Sequence, residues 1–181
     1  MPSPIGHAIA GISVAFAADP DRRLSGRWPG LLLTCSLLAA LPDLDLIVPG
    51  AHRRISHSLF AVAVVAVVAA IVTRVRGGRL DWRITLICAA AYGTHLLTDY
   101  FGVDPGTPAG IQLLWPREQW FISDWSIFLG TERHAPLSAF AMLINSLALA
   151  RELLVLGPIL LLTWLRRQRL GRAARIDEEA T

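Results

Sequence analysis

Leu41-Pro42-Asp43-Leu44-Asp45 and His52-Arg53-Arg54-Ile55-Ser56-His57-Ser58 lie between an apolar run that ends at Leu41 and another that begins at Leu59. Two carboxylates and two imidazoles in one short connection are costly in so apolar a chain, because buried charges need partners or a metal. The fold reading follows from asking which other segments send ligands to this place. His7, in the first apolar run, is one source, and His95 with Asp99, in a later run, is another.

Hydrophobic residues make up 54% of the 181 positions, and the mean hydropathy of +0.49 is high for a water-soluble globule. The length suits one domain. All 17 basic residues are arginine, scattered through loops and tail rather than set on one helix with aromatics, so no nucleic-acid partner is expected. Cys35 and Cys88 each sit inside an apolar run, spaced unlike a zinc ribbon or a redox pair, and read as packing residues. No Lys or Arg precedes the first apolar run, so it reads as a retained helix and not as a secretion signal.

In order, the chain predicts helices over Ile5 to Ala18, with Ser3 as cap and Pro4 in the first turn, and over Pro29 to Leu41. Further helices are expected over Leu59 to Val72, Ile84 to Phe101 and Leu137 to Leu165, the last with a kink at Gly157-Pro158. Pro49-Gly50 turns the motif connection, and Asp19 to Trp28 and Arg74 to Arg83 are polar loops. The long stretch 102–136 is irregular and, at that length, suits a functional lid. The expected organisation is one helical membrane domain over 1–165, with motif-bearing loops 42–57 and 102–136, and a charged, frayed tail over 166–181. The fold class expected is all-α: a polytopic membrane protein with about four to five short transmembrane helices around a polar metal site. The apolar runs are short against the roughly 20 residues of a full span.

If the helices alternate in direction, two loops and the tail share one side that carries twelve arginines (22, 23, 27, 74, 76, 79, 83, 166, 167, 169, 172 and 175). The positive-inside bias assigns that side to the cytoplasm. The same alternation gathers His7, Asp43, Asp45, His57, His95 and Asp99 at the opposite, non-cytoplasmic end.

His95 and Asp99 are four apart and share a helix face. With His7, Asp45 and His57 they make a mixed His/Asp ligand set that suits Zn²⁺, with Mn²⁺ or Fe²⁺ as alternatives. Asp43 is read as a sixth ligand or general base, and His52 as a second ligand, a proton donor or a surface residue. Arg53 and Arg54 suit either an anionic substrate group, such as a phosphate, or the lipid headgroups. Trp115, Trp120 and Trp125 suit an interfacial belt or a substrate lining, and Asp124 and Glu132 are candidates to approach the site. His134 takes no role.

Pro4-Ile-Gly-His7, Leu41-Pro-Asp-Leu-Asp45, His52-Arg-Arg-Ile-Ser-His57-Ser58, His95-xxx-Asp99 and Gly110-Ile-Gln-Leu-Leu-Trp-Pro116 together resemble the bacterial YdjM-like inner-membrane family of metal-dependent hydrolases. The resemblance implies a multi-pass inner-membrane protein with a divalent metal, without fixing a substrate. A more distant likeness, to the zinc-dependent phospholipase C and S1/P1 nuclease group, implies a phosphoester or lipid substrate. It rests on His7, Asp45, His57, His95 and Asp99. Arg54 and Ser56 stand where the YdjM-like pattern usually has Gly and Thr, and the later His-rich segment of the soluble phospholipases has no match. One or two ions are therefore expected rather than three. The rival readings are a non-catalytic metal-binding or transport protein, and a membrane protein with a metal-free polar network.

Overall fold

The computed structural model describes residues 1–48, 52–104, 107–132 and 137–179, the last six of these by their backbone alone. The expected turn at Pro49-Gly50, and Arg133 and His134, lie outside the described residues. Six helices are described: α1 (Pro4–Ala18), α2 (Arg23–Arg27), α3 (Leu31–Ala40), α4 (Leu59–Gly77), α5 (Trp82–Tyr100) and α6 (Ala139–Glu179). Two 3₁₀ turns, Leu41–Ile47 and Ile55–His57, carry the polar motifs. No strand is found among the described residues, only isolated bridges such as Ile111 with Phe121. The all-α expectation holds.

The helix starts follow local chemistry. Ser3 accepts from the Gly6 N–H at 3.1 Å, Ser58 from that of Ala61 at 3.3 Å and Asp81 from that of Ile84 at 3.3 Å, each satisfying one of the amides a first turn leaves bare. α2 lies within Asp19–Trp28, where a polar loop was expected, and two helix lengths also differ from expectation. α4 runs on to Gly77 because Arg74 and Arg76 complement its C-terminal dipole and Gly78, at φ 68°, ends it. α6 continues through Pro158 and into the charged tail as one helix, where a frayed tail was expected.

α1 is the central element, packed on α3, α5 and α6, with α4 outside α5. Small residues let the backbones approach, which matters where lipid supplies no hydrophobic drive between helices. A Cβ on Gly11 would stand 2.3 Å from the Cys35 carbonyl oxygen and 2.7 Å from the Ala39 Cβ. Ala15, Leu31, Cys35, Ile84, Cys88 and Ala91 fill the seam between these helices, and both cysteines are buried and free.

Two helices are long and apolar enough to cross a membrane: α4, and α6 over Ala139–Ala173. That is fewer than the four to five expected. α1 is 15 residues and α3 only 10, and α5 carries buried His95, Thr98 and Asp99. Most of α4 faces outward, with Val67, Ile71 and Val75 at 59, 56 and 77% exposure. α6 likewise exposes Leu143, Leu147, Leu154 and Leu162. So large an outward apolar surface needs lipid rather than water around it.

The irregular segment after α5 folds back over the motif turns. Ile111 and Phe121 exchange backbone hydrogen bonds at 3.0 and 2.9 Å. The Gln112 N–H donates to the Arg53 carbonyl at 2.9 Å, and the Leu59 N–H to the Leu113 carbonyl at 2.9 Å. Ile111, almost wholly buried, packs on Tyr92 and Leu96.

Candidate metal centre

Four parts of the chain meet at one end of the bundle: the first turn of α1 (His7), the turn after α3 (Asp43), the turn before α4 (His57) and the last turns of α5 (His95, Asp99). His95 Nε2 lies 3.0 Å from His57 Nε2, 3.2 Å from Asp99 Oδ2 and 3.8 Å from Asp43 Oδ1. His57 Nε2 lies 3.3 Å from Asp99 Oδ2 and 4.0 Å from Asp43 Oδ1. His7 Nε2 lies 3.5 Å from Asp99 Oδ1 and 3.8 Å from Asp43 Oδ2. The His7 and His95 rings stack at 3.8 Å. All three imidazoles are fully buried.

The far side of each ring fixes its near side. His95 Nδ1 is 2.7 Å from the Ala39 carbonyl, which can only accept, so Nδ1 carries the proton. Thr98 donates its hydroxyl to backbone carbonyls of its own helix and therefore accepts from His7 Nδ1 at 2.9 Å. His57 Nδ1 faces Asp45 Oδ2 at 3.1 Å. Each ring thus has Nδ1 engaged outward and directs Nε2 at the common centre, the arrangement that orients imidazoles toward metals. Neither oxygen of Asp99, nor His7 Nε2, makes a hydrogen bond of acceptable geometry. Donors held about 2.0–2.1 Å from one ion in tetrahedral array stand roughly 3.3 Å apart, and three groups are spaced closely enough that each could hold a cation: His7 with His95 and Asp99, Asp43 with His57 and His95, and Asp45 with His52 and His57.

A family described as YdjM inner membrane protein matches residues 1–170. The chain belongs to that family. No curated protein and no solved structure matches it, so the likeness to the phospholipase and nuclease group gains no support. Family membership and the two outward-facing apolar helices make this YdjM member a membrane protein.

The YdjM motif residues divide into an inner and an outer set. Asp43 and Asp45, two apart in sequence, face different groups. Asp43 faces the centre. Asp45 stands behind His57 and accepts from His52 Nδ1 at 2.6 Å, from the Arg53 N–H at 3.1 Å and from the Ser56 hydroxyl. Burial alone would raise the Asp45 carboxyl, but the hydrogen bonds from His52, His57 and Ser56 outweigh it and hold the group well below the usual carboxylate range. Burial would lower His57, yet the neighbouring carboxylates of Asp45 at 3.1 Å and Asp99 at 3.3 Å raise it to about 9. In the metal-free protein a proton on His57 therefore supplies part of the positive charge that the carboxylates require.

His52 bridges Asp45 and the Met1 sulfur, 3.2 Å from its Nε2. Arg53, at φ 66°, pairs with Asp104 and lies over the Trp120 ring, tying the irregular segment to the motif turn. Arg54 is exposed. Trp115 packs on Phe60 at 5.2 Å, and Asp124 is exposed on the irregular segment. None of these last three is among the groups that converge on the centre.

Two positioning groups escaped the sequence reading. Glu152, wholly buried in α6, accepts from the Ser3 N–H at 2.6 Å and from its hydroxyl, so it anchors the first turn of α1 one turn before His7. A lone acid in an apolar helix was the available signal. Thr98, at the third position after His95, is the other.

Proposed function

We propose that this protein is a membrane-embedded metal-dependent hydrolase whose cation is held by His7, His57, His95 and Asp99, with Asp43 as fifth ligand or general base. The observation that carries the reading is the convergence of three Nε2 atoms, each with its Nδ1 engaged outward, on two buried carboxylates. The donor set favours Zn²⁺, with Mn²⁺ or Fe²⁺ next. When bound, the ion would supply Lewis acidity and a water whose pKa falls to about 7. Asp45 keeps the His57 ring turned inward, Thr98 and the Ala39 carbonyl do the same for His7 and His95, and residues 107–132 are tied to the motif turn by the Gln112–Arg53 backbone hydrogen bond. Asp43, where it does not ligate, is placed to hold the proton released at the centre. The substrate would be lipid-type or a phosphoester, with no nucleic-acid partner expected.

The reading extends to the fold. We propose that α1, α3 and α5 join α4 and α6 as short spans, the centre near the non-cytoplasmic face and the arginine-rich tail in the cytoplasm. A C-terminal reporter active outside the cytoplasm would reverse that orientation. One observation favours a second, non-catalytic reading: five protein donors suffice to close a coordination sphere, as in structural or transport sites.

The test is metal content by mass spectrometry on gently purified wild type beside the His57→Ala/Asp99→Ala double variant. One equivalent of zinc or manganese in the wild type, lost in the variant, is expected. No metal in either protein after reloading would sink the metal reading and leave a polar network. Visible absorption of the cobalt-loaded protein would then separate an open, water-bearing centre from a closed one.

A further inference from the structure

A groove of about 630 Å³ runs between the first turn of α1, the turn after α3 and the N-terminal half of α6. It reaches Asp43 and no other residue of the centre. Asp43 is also the most exposed of the five, at 8%, while the three imidazoles show no exposure. The volume falls within the roughly 300–1,000 Å³ of small-molecule sites. Ile5, Leu44, Leu46 and Leu149 form much of the wall, and the first three are 55, 59 and 46% exposed. Two polar wall residues are already engaged: Ser3 with Glu152, and Asn145 with the backbone of Glu132. Beyond Leu46 the turn continues outward as Ile47 and Val48, at 79 and 56% exposure, so the apolar wall runs into the outer surface that lipid covers.

We infer that this groove receives the acyl chain of an amphiphile laterally from the bilayer and places its polar head, with the adjoining bond, at Asp43. The inference rests on the hydrolase reading for its chemistry but not for its geometry. A small water-soluble substrate would need hydrogen-bonding walls; here Asp43, Thr131 and Glu132 join Ser3 and Asn145 as the polar part of the lining, and the rest of the wall is apolar. A membrane amphiphile needs that layout: chain along leucine and isoleucine, head at the polar terminus.

The test uses the full-length protein in lipid nanodiscs with a monoacylglycerol that carries a diazirine in mid-chain, photolysed and mapped by peptide mass spectrometry. Labelling is expected at Ile5, Leu46 and Leu149 in metal-free and zinc-loaded protein alike. Unlabelled monoacylglycerol should suppress it and glycerol alone should not. Leu149→Trp, or Leu46→Trp from the opposite wall, should reduce groove labelling roughly tenfold by overpacking. Labelling of the outward Val67–Val68 face of α4, by bulk lipid, should stay unchanged. Groove labelling no stronger than at α4 and indifferent to both tryptophans, or suppressed by glycerol alone, would overturn the inference. Zinc measured on the same samples separates the two claims. Groove labelling without any bound metal would sink the hydrolase reading alone, and bound metal without groove labelling would sink the lateral chain alone.

Discussion

Gly11→Ala should weaken metal binding although Gly11 touches no candidate ligand. In an open helix this change would stabilise by about 1 kcal/mol through helix propensity. Here the new methyl would meet the Cys35 carbonyl oxygen at 2.3 Å and the Ala39 Cβ at 2.7 Å, both fixed to α3. A tolerable C···O contact is roughly 3.3 Å, so α1 and α3 must part by about 1 Å. Overpacking of this kind costs about 1–3 kcal/mol, which reverses the sign of the propensity gain. The displacement reaches the centre from both sides. His7 lies one turn before Gly11 on the same face, and the Ala39 carbonyl holds His95 Nδ1 at 2.7 Å. Metal–ligand bonds tolerate about 0.2 Å, so a shift near 1 Å removes His7 from a shared sphere. Zinc affinity should fall about 10–100-fold, the range seen when a ligand's supporting partner is lost. The assay is chelator competition in detergent, with thermal unfolding on the same samples. Gly93→Ala is the control, since nothing lies within 4 Å of its added Cβ. Wild-type zinc affinity in Gly11→Ala, with a melting temperature no lower than that of Gly93→Ala, would refute both the tight α1–α3 seam and its link to the centre.

Two other outcomes follow from the Asp45–His57 pair. Asp45→Asn keeps the side-chain volume but turns an amide toward the donors of His52 and Ser56, so zinc affinity should drop about 10–100-fold while the one-equivalent stoichiometry survives at high zinc. Complete loss of stoichiometry would show that Asp45 is itself a ligand. Because His57 keeps its proton up to about pH 9 in the metal-free protein, zinc binding at pH 7.5 must displace it. Calorimetry in two buffers of different ionisation enthalpy should give different heats, and equal heats would rule out the displacement.

Composition and apolar runs were enough to read an all-α chain and the helix starts at Ser3 and Ser58, while the inner-membrane family was read from the resemblance of the motifs around His7, Asp43, His57, His95 and Gly110. These features depend on a residue and its near neighbours: a hydroxyl that caps an amide, a proline that opens a turn, a run too apolar for water. The gathering of His7, Asp43, His57, His95 and Asp99 was also legible, because alternating helices place them at one end. What separates Asp43 from Asp45 is not local. Both follow the same helix in the same 3₁₀ turn, and only the position of His57 makes one face the centre and the other stand behind the ring. The commitment of Arg53 to Asp104, and of Ser3 to Glu152, spans dozens of residues or more and leaves no periodic trace. The extent of the membrane spans was not legible in the apolar runs, which count residues while a full span needs length: α4 and α6 reach it, and α3 stops after ten. Sequence therefore determined which groups are brought to the centre, through local helix rules. The tertiary structure decided which of these atoms face one another, because each side chain's neighbours come from segments far apart in sequence.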